Sequence, residues 1–154
     1  MEENIIMPVP PCVVVTTKIW AKEVQEKNYR WISLQELAEN INKNKKYLAL
    51  SHYGNDQKIL EIKGLGFQKV QRVTTYSGSF IDASDTIYLR MFEEWYQMRQ
   101  LSQNHRIMEY SIFQKNVKET IITGIKPIGE KMTFTLHLED DNSYIANGII
   151  IKGS

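Results

Sequence analysis

Few side chains in this sequence could act as nucleophiles or acid–base catalysts. Cys12 is the single cysteine, so its thiol is free of any internal disulfide and could attack a carbonyl. It also precedes a β-branched run, where a cysteine commonly serves as a small apolar residue, and we favour that interpretation. His52, His105 and His137 are scattered along the chain. We therefore expect them to be solvent-facing or hydrogen-bonded rather than catalytic.

Metal and cofactor sites are not predicted. The acidic segment Glu139-Asp140-Asp141 could suggest calcium, but it lacks the twelve-residue spacing of a calcium loop. We interpret it as a solvated hairpin turn. No Cys/His cluster has the spacing of a zinc site. Asn147-Gly148 is prone to succinimide chemistry, yet this pair is first of all suited to a tight turn with positive φ.

Composition sets the broad class of the protein. The 154 residues are 42% hydrophobic and 24% charged, which suits one globular domain with a real core. The formal net charge of +1 gives no indication of a nucleic-acid or membrane surface. The first residues, MEENIIMPVPP, lack the basic and long apolar regions of a secretion signal. We therefore expect a non-secreted protein of the cytoplasm, or of the host cytoplasm or virion if a phage encodes it.

Most of the chain is predicted to form short strands. Ser33 opens one short helix through a capping box with Glu36, and an apolar face follows it. The segment 92–101 is ambiguous between a helical turn and a loop. Gly64, Gly66 and the segment 127–129 are predicted turns. The predicted strands are 12–20, 47–53, 67–75, 79–81, 86–91, 106–113 and 117–125.

The segment 132–154, MTFTLHLEDDNSYIANGIIIKGS, carries the clearest pattern. Phe134, Leu136 and Leu138 alternate with polar residues, which is the period of a half-buried strand. The acidic turn follows, then an extended run 144–146, a tight turn and the apolar strand 149–151. The order is therefore strand, acidic turn, aromatic residue, Ala-Asn-Gly and aliphatic strand.

This order resembles the C-terminal blocks of inteins and other hedgehog/intein (Hint) domains. In the N-terminal part, Cys12, Thr17, Ile19 and the segment 32–37 (ISLQEL) fall in the order of the same family. The resemblance covers nearly the whole chain. It implies an all-β, curved domain with pseudo-two-fold symmetry and one or two short helices. That domain spans 12–154 and follows an extended, proline-containing arm, 1–11.

The resemblance also shows which splicing residues are replaced. A histidine in a Thr-x-x-His motif protonates the departing amine in the first step, but Ala83 and Thr86 occupy the corresponding positions. The acyl donor would be Pro11, whose restricted φ disfavours the step. The family ends in His-Asn before Ser, Cys or Thr, and the final asparagine cyclises. Here Lys152 and Gly153 precede Ser154.

Four functional positions are thus altered together: Thr86, Asn142, Lys152 and Gly153, since many relatives carry a further histidine at the position of Asn142. Cys12 and Ser154 remain as vestigial candidates. Our first hypothesis is a splicing-deficient Hint-like domain that is a structural or protein-binding module, for example in a phage assembly, with protein partners bound through the arm Met1 to Pro11. One alternative is an autoprocessing domain that uses Cys12 as nucleophile and Ser154 as acceptor. The other is an unrelated β interaction domain.

Overall fold

Antiparallel pairing joins twelve strands into one continuous sheet. The computed structural model describes residues 9–140 and 142–153 of the 154, so eight residues of the predicted arm lie outside the described part of the chain. The strands are β1 (Val13–Val14), β2 (Lys18–Glu23), β3 (Arg30–Ser33), β4 (Tyr47–Leu50), β5 (Asp56–Thr75), β6 (Phe80–Ala83), β7 (Tyr88–Met91), β8 (Glu94–Gln97), β9 (Arg106–Ser111), β10 (Asn116–Leu138), β11 (Ser143–Ala146) and β12 (Ile149–Lys152).

The pairings close into two circuits that share one pair of strands. One circuit runs β11-β2-β4-β5-β10-β9-β12 and returns to β11, and the other runs β5-β6-β1-β10 and returns to β5. The shared pair is β5–β10. These two strands are paired along most of their length, from Thr75 opposite Ile122 to Ile59 opposite Leu138. Closing a sheet in this way leaves few unpaired strand edges. The all-β prediction is confirmed.

The two long strands correct the predicted turns at Gly64–Gly66 and 127–129. Both segments lie inside strands, as β-bulges where the pairing register shifts between Pro127 and Gly129 and between Thr133 and Phe134. Gly66 has φ 78° and Gly129 has φ 89°. Because a positive-φ glycine fits a bulge as well as a turn, the sequence signal could not distinguish the two. The predicted strands 67–75 and 117–125 are therefore parts of longer elements.

One further prediction was wrong in detail, and one segment that the sequence left ambiguous is resolved. The β-branched run 12–20 is not one strand, because the chain turns at residues 15–17 between β1 and β2, and the Thr17 amide donates to the Val14 carbonyl there (2.9 Å). The segment 92–101 is neither a helical turn alone nor a loop. It contains β8, which pairs with β7, followed by a single 3₁₀ turn, Met98–Gln100.

The predicted helix is confirmed as α1 (Leu34–Asn42). The Ser33 hydroxyl accepts a hydrogen bond from the Glu36 amide (3.2 Å), which satisfies one of the free amides at the helix start. Leu34, Leu37 and Ala38 are buried, as the spacing predicted. The helix thus covers the main core, to which β2, β10, β11 and β12 also contribute.

The turn between β11 and β12 is anchored to two other strands. Asn147 has φ 52° and Gly148 has φ 94°, so the predicted tight turn is confirmed. The Asn147 Oδ1 accepts from the Lys18 amide (2.9 Å), and its Nδ2 donates to the Phe80 carbonyl (3.0 Å). One side chain therefore ties this turn to β2 and β6.

We expect Asn147→Ala to lower the free energy of unfolding by about 2–3 kcal/mol, because it removes two hydrogen bonds and leaves alanine at positive φ. The matched control is Asn104→Ala, which also has φ above zero (78°) but for which no side-chain hydrogen bond is found among the described residues. The control should cost about 1 kcal/mol. Equal losses in urea denaturation would contradict the anchoring role.

Candidate functional site

A cleft of about 510 Å³ brings together residues from both ends of the described chain. Thr86, Lys152 and Gly153 all line this cleft. Its lining residues are Val9, Pro10, Pro11, Thr86, Tyr88, Gln97, Asn142, Lys152 and Gly153. The candidate positions named from the sequence therefore converge here, with two exceptions. Cys12 is beside the cleft but buried (1% exposed), and Ser154 is outside the described residues.

A run of hydroxyl groups holds the peptide that precedes β1. The Cys12 amide donates to Ser84 Oγ (3.0 Å), Ser84 Oγ lies 2.9 Å from Thr86 Oγ1, and Thr86 Oγ1 donates to the Val9 carbonyl (2.7 Å). Each hydroxyl has a single proton. Because the proton of Thr86 goes to Val9, Thr86 Oγ1 accepts in its short contact with Ser84, whose hydroxyl also lies 3.4 Å from the Cys12 carbonyl and 3.5 Å from the Pro10 carbonyl. The hydrogen bonds thus run in one direction, from the Cys12 amide to the Val9 carbonyl, an arrangement we call the hydroxyl relay.

The hydroxyl relay determines what Thr86 can do at the Pro11–Cys12 peptide bond. An acyl shift onto the Cys12 thiol would release the Cys12 nitrogen, which must receive a proton as the bond breaks. In this structure that nitrogen donates its own proton to Ser84. A threonine hydroxyl has no acidic proton near neutral pH. The relay therefore binds and orients the peptide, and it lacks a general acid.

Gly153 lies in a space that has no room for a side chain. It is buried, and its amide donates to the Asn142 carbonyl (2.6 Å). A Cβ added to it would lie 2.3 Å from Asn142 Oδ1 and 2.6 Å from the Leu136 carbonyl oxygen. Asn142 Oδ1 in turn accepts from the Leu138 amide (2.9 Å). The position that holds a cyclising asparagine in the family is closed by the Asn142 side chain and the β10 backbone.

Lys152 contributes a positive charge to the cleft. Its ammonium group lies 5.6 Å from the centre of the Tyr88 ring, within the range of a cation–π contact. An ammonium group only donates hydrogen bonds, whereas the imidazole that the family has before its asparagine can both donate and accept. Lys152 can therefore attract an anionic or carbonyl group, but it does not replace that imidazole.

Two residues of the site were missed from the sequence. The Thr-x-x-His motif specifies only its first and last positions, so it gives no signal for Ser84, which lies between Ala83 and Thr86. Tyr144 is buried close to Cys12, and burial, followed by the charge of the Cys12 thiolate, raises the pKa of Tyr144. Only its aromatic character was noted. Ala83 is buried against Val13 in the core.

The remaining candidates lie away from the cleft. His52 Nδ1 lies 2.6 Å from the Ser143 hydroxyl, His105 Nδ1 accepts from the Ser102 amide (3.0 Å), and His137 is exposed, so the predicted hydrogen-bonded or solvent-facing roles are confirmed. In residues 9–140 and 142–153, no three His, Cys, Asp or Glu side chains form a group that could hold a metal ion. None of the helices in these ranges is both long and apolar enough to span a membrane.

Solved intein structures are similar to this chain over almost its full length. A DnaB intein from Synechocystis sp. PCC 6803 is 17% identical, with a TM-score of 0.80 and coverage of 94% of this chain and 99% of that one. An intein from a hyperthermophile is 13% identical, with a TM-score of 0.81 and coverage of 93% and 99%. The gp41-1 intein is 16% identical, with a TM-score of 0.71 and coverage of 94% and 100%.

No protein-family model matches the chain, and the search of curated proteins gave no match. At identities below 20% the structural similarity establishes the fold and leaves the activity open. The chain therefore has the intein (Hint) fold that the sequence resemblance implied.

We expect Gly153→Ala to destabilise the protein by about 1–3 kcal/mol, because the new methyl group would overlap Asn142 and the Leu136 carbonyl. Gly64→Ala is the matched control, since its added Cβ would meet only the Phe134 ring at 3.5 Å. Denaturation curves should show a clearly smaller loss for the control. If Gly153→Ala were as stable as the unmodified protein, Asn142 and the Leu136 carbonyl would be able to move aside at little cost. That result would contradict a closed site around Gly153.

Proposed function

We propose that this protein is a splicing-deficient domain of the intein fold that serves as a non-catalytic structural or protein-binding module. The observation that carries the proposal is the hydroxyl relay. At the place where the family requires a histidine, Thr86 spends its only proton on the Val9 carbonyl (2.7 Å). In the family, the histidine at this position protonates the departing nitrogen. In this chain the Thr86 side chain binds a peptide carbonyl instead.

The other side of the cleft supports the same proposal. Asparagine cyclisation requires a side-chain amide that attacks its own backbone carbonyl, and Gly153 has none. Asn142 has an amide, but its Oδ1 is engaged with the Leu138 amide of β10. Lys152 provides a charge without an imidazole. The histidine of the first splicing step and the asparagine of the last step are thus both missing. The strand pairing that brings residues 9–11 and 152–153 together is present.

Peptide binding is the activity that these residues retain. The segment 9–11 lies along the cleft with the Val9 carbonyl bound by Thr86, and Ser84 fixes the first residue of the domain. The proposal extends peptide binding to contacts with other proteins, in which the arm Met1 to Pro11 takes part. These contacts would belong to an assembly in the cytoplasm or in a virion. The intact fold would then be a scaffold that holds residues 9–11 of the arm in the cleft.

The proposal predicts that the domain leaves flanking proteins attached. A fusion with folded reporters before Met1 and after Ser154 should keep its full mass during prolonged incubation, as followed by mass spectrometry. Thiol or hydroxylamine should release no fragment ending at Pro11, because no general acid assists thioester formation.

The matched control is the same fusion with Cys12→Ala. Any thiol-induced cleavage that occurs in the unmodified fusion and disappears in the control would establish the autoprocessing alternative. A spliced product that joins the two reporters would exclude the proposal altogether.

A further inference from the structure

A hollow of about 470 Å³ is lined by residues from two hairpin connections, β2–β3 and β9–β10. Proteins bind small molecules in concave sites of roughly 300–1,000 Å³, so the hollow is large enough for one. None of its lining residues belongs to the cleft that contains Thr86 and Lys152. We call it the aromatic hollow, and its lining residues are Trp20, Lys27, Asn28, Tyr29, Leu50, Tyr110, Ile112 and Lys115.

The apolar walls of the aromatic hollow rest on a buried cluster outside the main core. Leu50 is buried in this cluster, and Trp20, Tyr29 and Tyr110 pack against it. The Trp20 and Tyr29 rings are stacked, with 6.2 Å between their centres and 18° between their planes. For Tyr110 no such ring pair is found among the described residues. A flat ligand can therefore pack on the Tyr110 ring without separating two aromatic side chains.

No carboxylate lines the aromatic hollow, whereas several hydrogen-bond donors do. The ammonium groups of Lys27 and Lys115 can only donate, and the Asn28 side chain has a donating NH₂ group. Burial raises the pKa of the Tyr110 hydroxyl, so this group keeps its proton at neutral pH. In the part of the chain that the structure describes, no hydrogen bond of that hydroxyl is found. The hollow therefore offers donors that an anion would satisfy.

The two lysines belong to turns whose backbones are held by hydrogen bonds. The Lys115 amide donates to the Ser111 carbonyl (2.7 Å). In the other turn, the Glu26 amide donates to the Glu23 carbonyl (2.9 Å), and Glu26 Oε1 accepts from the Glu23 amide (3.1 Å). Lys27 and Lys115 are both exposed, and for neither is an ion pair found within residues 9–140 and 142–153. Two ammonium groups are thus available to a ligand from separate turns.

The carboxylates near the aromatic hollow are engaged by other cations. Asp56 accepts a hydrogen bond from the Tyr29 hydroxyl and lies 4.0 Å from the Lys22 ammonium. The same ammonium lies 4.9 Å from the centre of the Tyr29 ring. Glu26 lies 3.8 Å from the Arg30 guanidinium. Both carboxylates therefore have a cationic partner that is not one of the two lysines of the hollow.

We propose that the aromatic hollow binds a small aromatic phosphate, of which a nucleoside monophosphate is an example. The phosphate group would accept charge-assisted hydrogen bonds from Lys27 and Lys115, and the ring of the ligand would pack on Tyr110 beside the Trp20–Tyr29 pair. This binding site is independent of the loss of splicing, because it shares no residue with the cleft. It would give the domain a ligand-binding activity beyond the proposed structural role.

The combination of aromatic walls and lysines selects this class of ligand over others. Inorganic phosphate would pair with the lysines but leave the aromatic walls uncovered, and a neutral aromatic compound would leave the lysines unpaired. Single-stranded nucleic acid is usually bound along an extended basic groove. Here two lysines and the aromatic walls meet in one hollow of about 470 Å³, which suits a single nucleotide better than a strand.

The test titrates the full chain with adenosine monophosphate, adenosine and inorganic phosphate at low salt, with isothermal calorimetry as the measurement. We expect the monophosphate to bind with a Kd on the order of 10⁻⁴ M. Adenosine and inorganic phosphate should each bind at least ~10-fold more weakly, because each lacks one part of the contacts. Quenching of tryptophan fluorescence by the monophosphate gives a second signal, since Trp20 lines the hollow.

Lys27→Ala/Lys115→Ala should weaken binding of the monophosphate at least ~10-fold and leave the weaker binding of adenosine unchanged. The matched control is Lys63→Ala/Lys131→Ala, which removes two exposed lysines of β5 and β10 outside the hollow. This control should bind the monophosphate like the unmodified protein. Circular dichroism shows that each variant is folded.

Absence of binding at millimolar adenosine monophosphate would overturn the proposal, as would equal weakening by the two lysine pairs. If inorganic phosphate binds as tightly as the monophosphate, the aromatic walls take no part and the proposal fails. If an acidic peptide or a single-stranded oligonucleotide binds and the monophosphate does not, the surface has a polymeric partner and the small-ligand site is excluded.

Discussion

The pairing of β5 with β10 is the constraint on which the rest of the structure depends. The two strands belong to both circuits of paired strands. Every other strand pairs with β5 or β10 directly or through a neighbouring strand, so the β5–β10 register positions them all. Strands of 20 and 23 residues would form a long, twisted two-stranded ribbon if they did not also bend. The bulges at Gly64–Gly66 and Pro127–Gly129 let the strands curve while the pairing continues. The same curvature brings β1 next to β6 and, through β12, the residues 152–153 near the segment 9–11.

The fold and the chemistry of this domain rest on different residues. Backbone pairing, the apolar faces of β11 and β12 and the turn anchored by Asn147 position the cleft. Of the side chains that line the cleft, Thr86, Gln97 and Asn142 bind backbone groups, and the others take no part in the strand pairing. A hydroxyl at position 86 is therefore compatible with this architecture, and it binds the Val9 carbonyl of the preceding peptide.

The sequence predicted those elements whose signal is local. The alternation of Phe134, Leu136 and Leu138, the cap at Ser33 and the Asn147-Gly148 pair each act within a few residues, and each prediction was confirmed. Gly66 and Gly129 were taken for turns, because only the partner strand decides whether a positive-φ glycine ends a strand or bends it. The closure around Gly153 could not be foreseen, since the Asn142 side chain and the Leu136 carbonyl reach it from eleven and seventeen positions away.

The contact between Gly153 and Asn142 limits the side chains that the two positions can hold together. An asparagine cannot enter position 153 while Asn142 keeps its present conformation and the Leu136 carbonyl stays in place. An asparagine at position 153 would thus require a change of the side chain at position 142 and a shift of the β10 backbone. The two positions are therefore coupled. Such coupling limits which single substitutions position 153 accepts while position 142 stays unchanged.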